Sequence, residues 1–312
     1  MKKILLAQVL ISFLTSSSIF SEVPIYVDFD TACGKEDPRS QGFFHAVENY
    51  SRKPGWAEPG RIYLGLLRTC FNKLFHKQNE PDSQPYRIPK IIHIIWLGSP
   101  FPKKYINWMN SWKLYHPDWS IIIWNDEMAK SLHLVNRDLY EKAANYGEAS
   151  DILRYEILYQ FGGLYIDTDY ECVKPFDSFH KSADFYGSMM PLWGCQAGEV
   201  WLINGILGSK PGHPFLKKLI DSLKDERATY IADRVGILKL TKEFFDYLPH
   251  DELISVAFPS AYFFPYVHSE KPADLHGDWR NAFGKKWAEV KNETYAIHWG
   301  ENSWNAGVID EK

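Results

Sequence analysis

The sequence predicts an α/β domain built around a mostly parallel central sheet. Two β-branched apolar runs, Lys90–Leu97 (KIIHIIWL) and Ser120–Trp124 (SIIIW), have the length and composition of strands buried on both faces. Between and after them, apolar residues recur at helical spacing, as in Pro102–Tyr115 and Glu148–Phe161. Strands alternating with helices need crossover connections, and crossovers make neighbouring strands parallel. In such sheets a ligand sits beyond the carboxyl ends of the strands.

Taken in order, residues 1–21 read as a signal peptide or N-terminal anchor. Lys2 and Lys3 precede the apolar run Ile4–Leu14, and Thr15–Ser18 with Ser21 supply small polar residues. Gln8 and Ser12 interrupt the run, which is short for a membrane span. Cleavage and retention as an anchor both stay open. Either implies an exported, secreted or membrane-anchored protein rather than a cytoplasmic one, and the second implies membrane association. Residues 22–85 read as a partly helical N-terminal extension, punctuated by Pro24, Pro38, Pro54 and Pro59. Within it, Arg61–His76 places Ile62, Leu66, Leu67, Cys70, Phe71 and Leu74 at helical spacing, and Lys77–Pro85 reads as a linker.

Residues 86–312 are expected to form the main α/β domain. After its first strand, the helix Pro102–Tyr115 stops at Pro117, and the second strand closes at Asn125-Asp126. Asp138–Tyr146 and Glu148–Phe161 read as helices. Gly162-Gly163 ends the latter, because glycine adopts the left-handed cap without a Cβ clash. Leu164–Ile166 is then a third strand, and it delivers Asp167 and Asp169 at its exit. An extended chain has a side-chain period of two, so this pair is expected on one side.

Composition narrows the functional classes. A chain of 312 residues that is 45% hydrophobic can bury one large core. A net charge of −4 offers nucleic acid no general attraction, and no nucleic-acid partner is expected. The 12 Trp and 18 Tyr suit sugar or base stacking and equally suit ordinary packing. Cys33, Cys70, Cys172 and Cys195 are widely spaced and make no zinc motif; a Cys33–Cys70 disulfide stays open for an exported chain. Asn49-Tyr50-Ser51 and Asn292-Glu293-Thr294 match the glycosylation acceptor pattern.

The chemistry concentrates in Ala149-Ser150-Asp151-Ile152-Leu153-Arg154 and Gly162-Gly163-Leu164-Tyr165-Ile166-Asp167-Thr168-Asp169. Asp151 and Arg154, three apart, share a helix face. Two carboxylates can hold a hard divalent cation, and such a cation bridges nucleotide phosphates. A bare D-x-D is a solvated turn as often as a site, and an Asp/Arg pair is commonly a weak surface ion pair. The Gly-Gly, the apolar strand and the upstream helix together favour a site.

These segments, with Ile88-Pro89-Lys90-Ile91-Ile92-His93-Ile94-Ile95-Trp96, resemble the DXD-motif sugar transferases. That family, of glycosyltransferase family 32 type, includes Och1-like mannosyltransferases and capsular or lipopolysaccharide sugar transferases, and is related to the clostridial glucosylating toxins. The resemblance runs from about Arg87 to Trp304. It implies a GT-A type nucleotide-diphospho-sugar transferase fold and a retaining, metal-dependent transfer of a hexose to a glycan, lipid or protein acceptor. The implied cofactors are Mn²⁺ or Mg²⁺ and a nucleotide-sugar donor, a UDP-hexose or GDP-mannose.

Residue by residue, the resemblance implies that Trp96 stacks on the nucleotide base and that Asp151 and Arg154 hold sugar and ribose hydroxyls. It implies that Asp167 and Asp169 bind the metal, with Asp169 favoured over Asp167 as a direct ligand, and that Asn204 lies near the sugar. In Ala296-Ile297-His298-Trp299-Gly300-Glu301-Asn302-Ser303-Trp304, it implies His298 as a third metal ligand and Ser303 and Trp304 over the diphosphate. A packed core histidine is the alternative for His298. His93 is expected to pack beneath the site, and Pro211-Gly212-His213-Pro214-Phe215 to serve as a structural turn. Two rivals remain: a catalytically silent sugar-nucleotide- or glycan-binding protein of the same fold, and a haloacid-dehalogenase-like phosphatase. Against the phosphatase, Tyr170-Glu171 follows the second aspartate where Thr or Val is usual two residues on.

Overall fold

The computed structural model describes residues 24–48, 58–76, 85–192, 195, 199–225, 230–265, 267–268, 279–283 and 286–301. Residues 1–21, Asn49, most of the 77–85 linker, Ser303 and Trp304 lie outside them.

The N-terminal part contributes α1 (Phe29–Ala32), α2 (Gln41–Glu48) and α3 (Glu58–His76). Next come β1 (Ile91–Ile95), α4 (Ile106–Tyr115), β2 (Ser120–Trp124), α5 (Asp126–Ser131), α6 (Arg137–Glu141) and α7 (Tyr146–Phe161). The middle of the chain forms β3 (Gly163–Ile166), β4 (Tyr170–Cys172), α8 (Asp177–Ser182), β5 (Phe185–Met189) and β6 (Leu202–Ser209). After these lie α9 (Pro214–Ser222), α10 (Ile231–Arg234), α11 (Ile237–Tyr247), β7 (Ser255–Phe258) and α12 (Ser260–Phe263). Three short strands, β8 (Val267–His268), β9 (Trp279–Phe283) and β10 (Lys286–Glu289), precede β11 (Ala296–His298).

The main sheet has six strands in the order β2-β1-β3-β6-β5-β7. Five run in one direction and β6 alone is reversed, pairing antiparallel with both β3 and β5. The expected mostly parallel α/β sheet is therefore present. Its central strands are buried along their length, as their unbroken apolar runs require. The carboxyl ends of β1 and β3 lie side by side, which brings the Trp96 end of one strand next to the aspartates after the other.

The helix α7 positions the site. Asn145 caps it by accepting the Glu148 N–H at 2.9 Å. At its other end Gly162 (φ 63°) and Gly163 (φ 99°) turn the chain into β3. A Cβ on Gly163 would lie 2.6 Å from the Ile91 carbonyl, so only glycine fits this crossing. His93 lies directly below: its Nε2 is 2.8 Å from the Gly162 carbonyl, and its Nδ1 accepts the Trp124 indole N–H at 3.1 Å. Burial pushes its pKa down to about 4, so it stays neutral, with the proton on Nε2. It packs beneath the site, as the sequence suggests.

The N-terminal part lies against the C-terminal half of the sheet. Leu67 and Phe71 of α3 are fully buried, and Tyr63 stacks on Phe245 of α11 with ring centroids 3.7 Å apart. Cys33 and Cys70 are free thiols rather than a disulfide; Cys33 Sγ meets the sulfur of Met189 at 4.0 Å. Among the described residues no helix is long and apolar enough to cross a membrane.

Candidate active site

At the exit of β3 the chain turns at once. Asp167, Thr168 and Asp169 form the turn into β4, and the Tyr170 N–H donates to the Asp167 carbonyl at 3.2 Å. The expectation of two aspartates on an extended strand is corrected here. The cause is topological, because β4 leaves the main sheet to pair with β11. The turn still gathers the acids. One ligand atom each from Asp167, Asp169 and His298 lie within 4.8 Å of one another.

Each member of this triad is held from behind. Asp167 Oδ1 accepts from the Tyr165 hydroxyl at 2.6 Å and from Arg154 Nη1 at 3.2 Å. Its Oδ2 lies beside Gly205, where a Cβ would come within 2.7 Å. Asp169 is buried, and its Oδ2 accepts the Glu301 N–H at 2.7 Å. Its Oδ1 is 3.3 Å from His298 Nε2, and its carbonyl accepts the Trp299 N–H at 3.0 Å. Burial alone would raise the Asp169 pKa, but the His298 imidazole and the Glu301 amide outweigh it and hold the carboxyl below its usual range. His298 stands on β11 opposite Tyr170, with its ring between those of Tyr170 and Phe264 at 4.7 Å each.

Behind the triad lies a buried polar cluster. Arg154 Nη2 pairs with Asp151 Oδ1 at 2.8 Å, Nη1 donates to the Asn204 carbonyl at 2.8 Å, and Nε to the Ser150 carbonyl at 3.1 Å. Its guanidinium lies over the Tyr165 ring, 4.5 Å from the centroid. The Asn204 amide donates to Asp151 Oδ1 at 2.9 Å. The Arg154 side chain is 6% exposed and that of Asp151 15%, so this is not a weak surface ion pair. Burial raises the Asp151 carboxyl to about 6 even with Arg154 alongside.

Trp96, Asp151, Arg154, Asn204, Asp167, Asp169 and His298 thus all stand at one edge of the sheet. Trp96 follows β1, with its indole N–H donating to Ser99 Oγ at 2.9 Å and its ring against Phe101 and Tyr105. Glu171 and Asp177 are engaged elsewhere: Glu171 accepts the Trp299 indole N–H at 3.1 Å, and Asp177 the Tyr86 hydroxyl at 2.7 Å. His213 caps α9 by accepting the Phe215 N–H at 3.2 Å, and Gly212 takes φ 68°, the expected structural turn.

Sequence reasoning missed Tyr165, Gly205 and Glu301. Tyr165 was findable, since it stands two residues before Asp167 and a strand period of two puts it on the same face. Glu301 was not, because its contact is through a backbone N–H that any residue carries. A wall of aromatics was also missed: Trp96, Tyr105, Trp108 and Trp299 follow one another with centroids 5.3, 5.7 and 6.4 Å apart.

The donor set suits a divalent cation. Two carboxylates and an imidazole are oxygen and nitrogen ligands of the kind Mn²⁺ and Mg²⁺ accept. Gly205 leaves the space beside Asp167 Oδ2 that a side chain would fill.

Fold and site together define an α/β domain with an acidic, cation-ready centre at the carboxyl edge of its sheet. Residues 102–186 match the family described as the glycosyltransferase sugar-binding region containing DXD motif. Mannosyl phosphorylinositol ceramide synthase CSH1 of Saccharomyces cerevisiae is 30% identical over 179 residues, 56% of this chain and 44% of that protein. Inositol phosphoceramide mannosyltransferase 2 of Schizosaccharomyces pombe is 31% identical over 159 residues, 49% of this chain and 43% of that protein. The chain therefore spans less than half the length of these two relatives. Among solved structures, a PaToxG glycosyltransferase aligns at 20% identity and a TM-score of 0.46, over 61% of this chain and 80% of its own. Over residues 102–186 the chain is similar to the DXD-motif glycosyltransferases.

Proposed function

We propose that this protein is a divalent-cation-dependent glycosyltransferase. It moves a hexose from a nucleotide diphospho-sugar to a hydroxyl of a glycan, lipid or protein acceptor. The observation that carries this reading is the convergence of Asp167, Asp169 and His298 within 4.8 Å at the ligand edge of the sheet. Both yeast relatives are named for mannosyl transfer, which supports mannose as the hexose and GDP-mannose as the first donor to test, with UDP-hexoses next.

Mn²⁺ or Mg²⁺ held by these three residues supplies Lewis-acid stabilisation of the departing diphosphate. The chain's own groups do the rest. Trp96 offers a flat face for the base, and the Asp151 carboxyl accepts donor hydroxyls. Arg154 is already bonded to Asp151, Asp167 and the Asn204 carbonyl, so it fixes the acids in place ahead of binding. Transfer with retention has the acceptor hydroxyl enter on the leaving-group face and pass its proton to the leaving phosphate.

A panel of nucleotide sugars screened for Mn²⁺-dependent binding and hydrolysis tests the reading. Hydrolysis of one donor, abolished in a folded Asp169→Asn variant, supports it; undiminished turnover in that variant rejects it. Binding without turnover of any donor makes the protein the silent binder instead. The anomeric proton coupling of the product by NMR decides retention, an inverted coupling refuting it. We also infer that residues 1–21 export or anchor the chain, supported by Lys2, Lys3 and the Ile4–Leu14 run. Recovery of the full-length protein in the cytosolic fraction refutes that.

A further inference from the structure

The ligand edge of the six-stranded sheet has two halves. The ends of β1 and β3 carry Trp96 and the aspartates, the half assigned above to the donor. The ends of β5 and β7 carry none of those residues, yet a cleft opens there. It is lined by Leu192 after β5 and Ser260 after β7, and by Asp37, Arg39 and Ser40 from the N-terminal segment.

That segment is fastened in place at several points. The Ile25 N–H donates to the Tyr295 hydroxyl at 3.1 Å, and the Tyr262 hydroxyl donates to the Ile25 carbonyl. Arg68 pairs with Asp30 at 2.5 Å. Arg39 bonds to Asp37 on its own segment and reaches Glu289 on β10 at 3.2 Å, so an ion-pair chain in the cleft lining ties the N-terminal segment to β10.

The lining has a definite chemistry. Asp37 and Glu289 offer carboxylate acceptors, Arg39 and Lys291 charged donors, and Phe264 an aromatic face. Planar charged groups that both donate and accept, set around a ring, match the vicinal hydroxyls and apolar face of a sugar or cyclic polyol. Phe264 also packs against His298, 4.7 Å between centroids, so a molecule in the cleft is one side-chain layer from the triad. An acceptor hydroxyl has to approach the anomeric carbon from beside the triad.

We propose that this cleft is the acceptor subsite and binds a hexopyranoside or cyclic-polyol unit of the acceptor, with the N-terminal segment 33–40 as one wall. The proposal rests on the glycosyltransferase reading for its purpose, but the binding itself does not require donor or metal. It gives the N-terminal extension a direct part in acceptor selection.

Saturation-transfer NMR on the full-length chain, with methyl glycosides of glucose, galactose and mannose and with myo-inositol, tests it without donor or metal. At least one probe is expected to bind. Lys291→Ala removes an exposed donor, and Ser260→Trp fills the cleft from a lining residue outside the ion-pair chain. Each is expected to weaken binding by about tenfold or more, with thermal unfolding confirming that both variants fold. Asp169→Asn, which disables the triad, is expected to leave binding in place. Absence of binding by all four probes, or binding that survives both cleft variants, overturns the proposal and leaves the ion-pair chain a structural clamp. Because no donor is present, this result is independent of the donor-hydrolysis assay.

Discussion

Replacing Arg154 with methionine keeps most of the side chain's packing volume and deletes its charge. Four carbonyl or carboxylate partners within 2.8–3.2 Å lose a donor at once: Asp151, Asp167 and the Asn204 and Ser150 carbonyls. Removing one partner from a buried ion pair typically costs about 3–5 kcal/mol. Asp151 supplies only part of that, because it escapes by taking a proton. Its carboxyl already sits at about 6 in the folded protein, raised from 3.8. Keeping it protonated at pH 7 costs about 4 kcal/mol in all, of which burial beside Arg154 already exacts about 3. The Arg154→Met loss through Asp151 is therefore capped near ~1 kcal/mol at pH 7. The sign follows from the raised pKa: the penalty is absent below the unfolded value and grows as pH rises toward the folded one. The stability deficit of Arg154→Met should consequently shrink by about 1 kcal/mol between pH 7 and pH 6, where both proteins carry the proton for much of the time. Adding Asp151→Asn to the variant should recover a similar amount at pH 7. Urea unfolding followed by tryptophan fluorescence at the two pH values measures both. A deficit under about 1 kcal/mol at pH 7, or one that widens at pH 6, would refute the claim that these charges are buried together.

Two further predictions follow from the same geometry. Gly205→Ala puts a Cβ 2.7 Å from Asp167 Oδ2 and 3.2 Å from the Tyr170 ring, so the carboxylate has to turn away from Tyr165 and Arg154. Mn²⁺ affinity, read by electron paramagnetic resonance, should fall by about tenfold or more, and an unchanged affinity would show that Asp167 is not a ligand. Acid stability tests the core instead. Burial holds His93, His116 and His213 neutral, with pKa values pushed down to about 4, and lowers His180 as well. The unfolded chain takes up those protons below about 6.5, so stability is full above that pH and is lost as pH falls toward 4. The first three histidines together withdraw about 4 kcal/mol per pH unit in that window. A melting temperature that stays flat between pH 6.5 and 5 would contradict it.

What the sequence made legible was whatever periodicity or special backbone conformation encodes. β2 falls on the expected residues, and α7 begins at Tyr146 rather than Glu148, since Asn145 is the capping side chain. Gly162-Gly163 was readable because a helix end at positive φ favours glycine, here 63° and 99°; the close crossing over Ile91 was not. The expected helix 138–146 breaks into α6 and the first residue of α7, a boundary set by tertiary contacts: Glu148 bonds to the Ala144 N–H and to Arg234 from α10. The pairing of Asp151 with Arg154 was visible as a three-residue step, but its burial was not. That depends on Asn204, fifty residues further on. The reversal of β6 was equally hidden, because a fully buried strand reads the same in either direction.

Charge balance gives the triad its most direct connection to function. The site holds three carboxylates, Asp151, Asp167 and Asp169, against the one guanidinium of Arg154, which pairs with the first two. Nearby, Lys104 and Glu301 approach to 3.8 Å and offset each other. Protonation of Asp151, at about 6, relieves one negative charge only in mild acid. Asp169 gains no such relief, since its carboxyl is held below the usual range by His298 and the Glu301 amide. Asp167 Oδ1 is already occupied by Tyr165 and Arg154, and its Oδ2 lies in the space left by Gly205. Arg154 alone thus leaves a surplus of negative charge, which the His298 imidazole and the Glu301 amide offset only in part, in a partly desolvated turn where uncompensated charge is expensive. A divalent cation would supply the missing balance. The same reasoning says that Mn²⁺ should raise the melting temperature of the protein at pH 7 and do so much less in Asp169→Asn; equal shifts in both would mean that the surplus charge is balanced elsewhere.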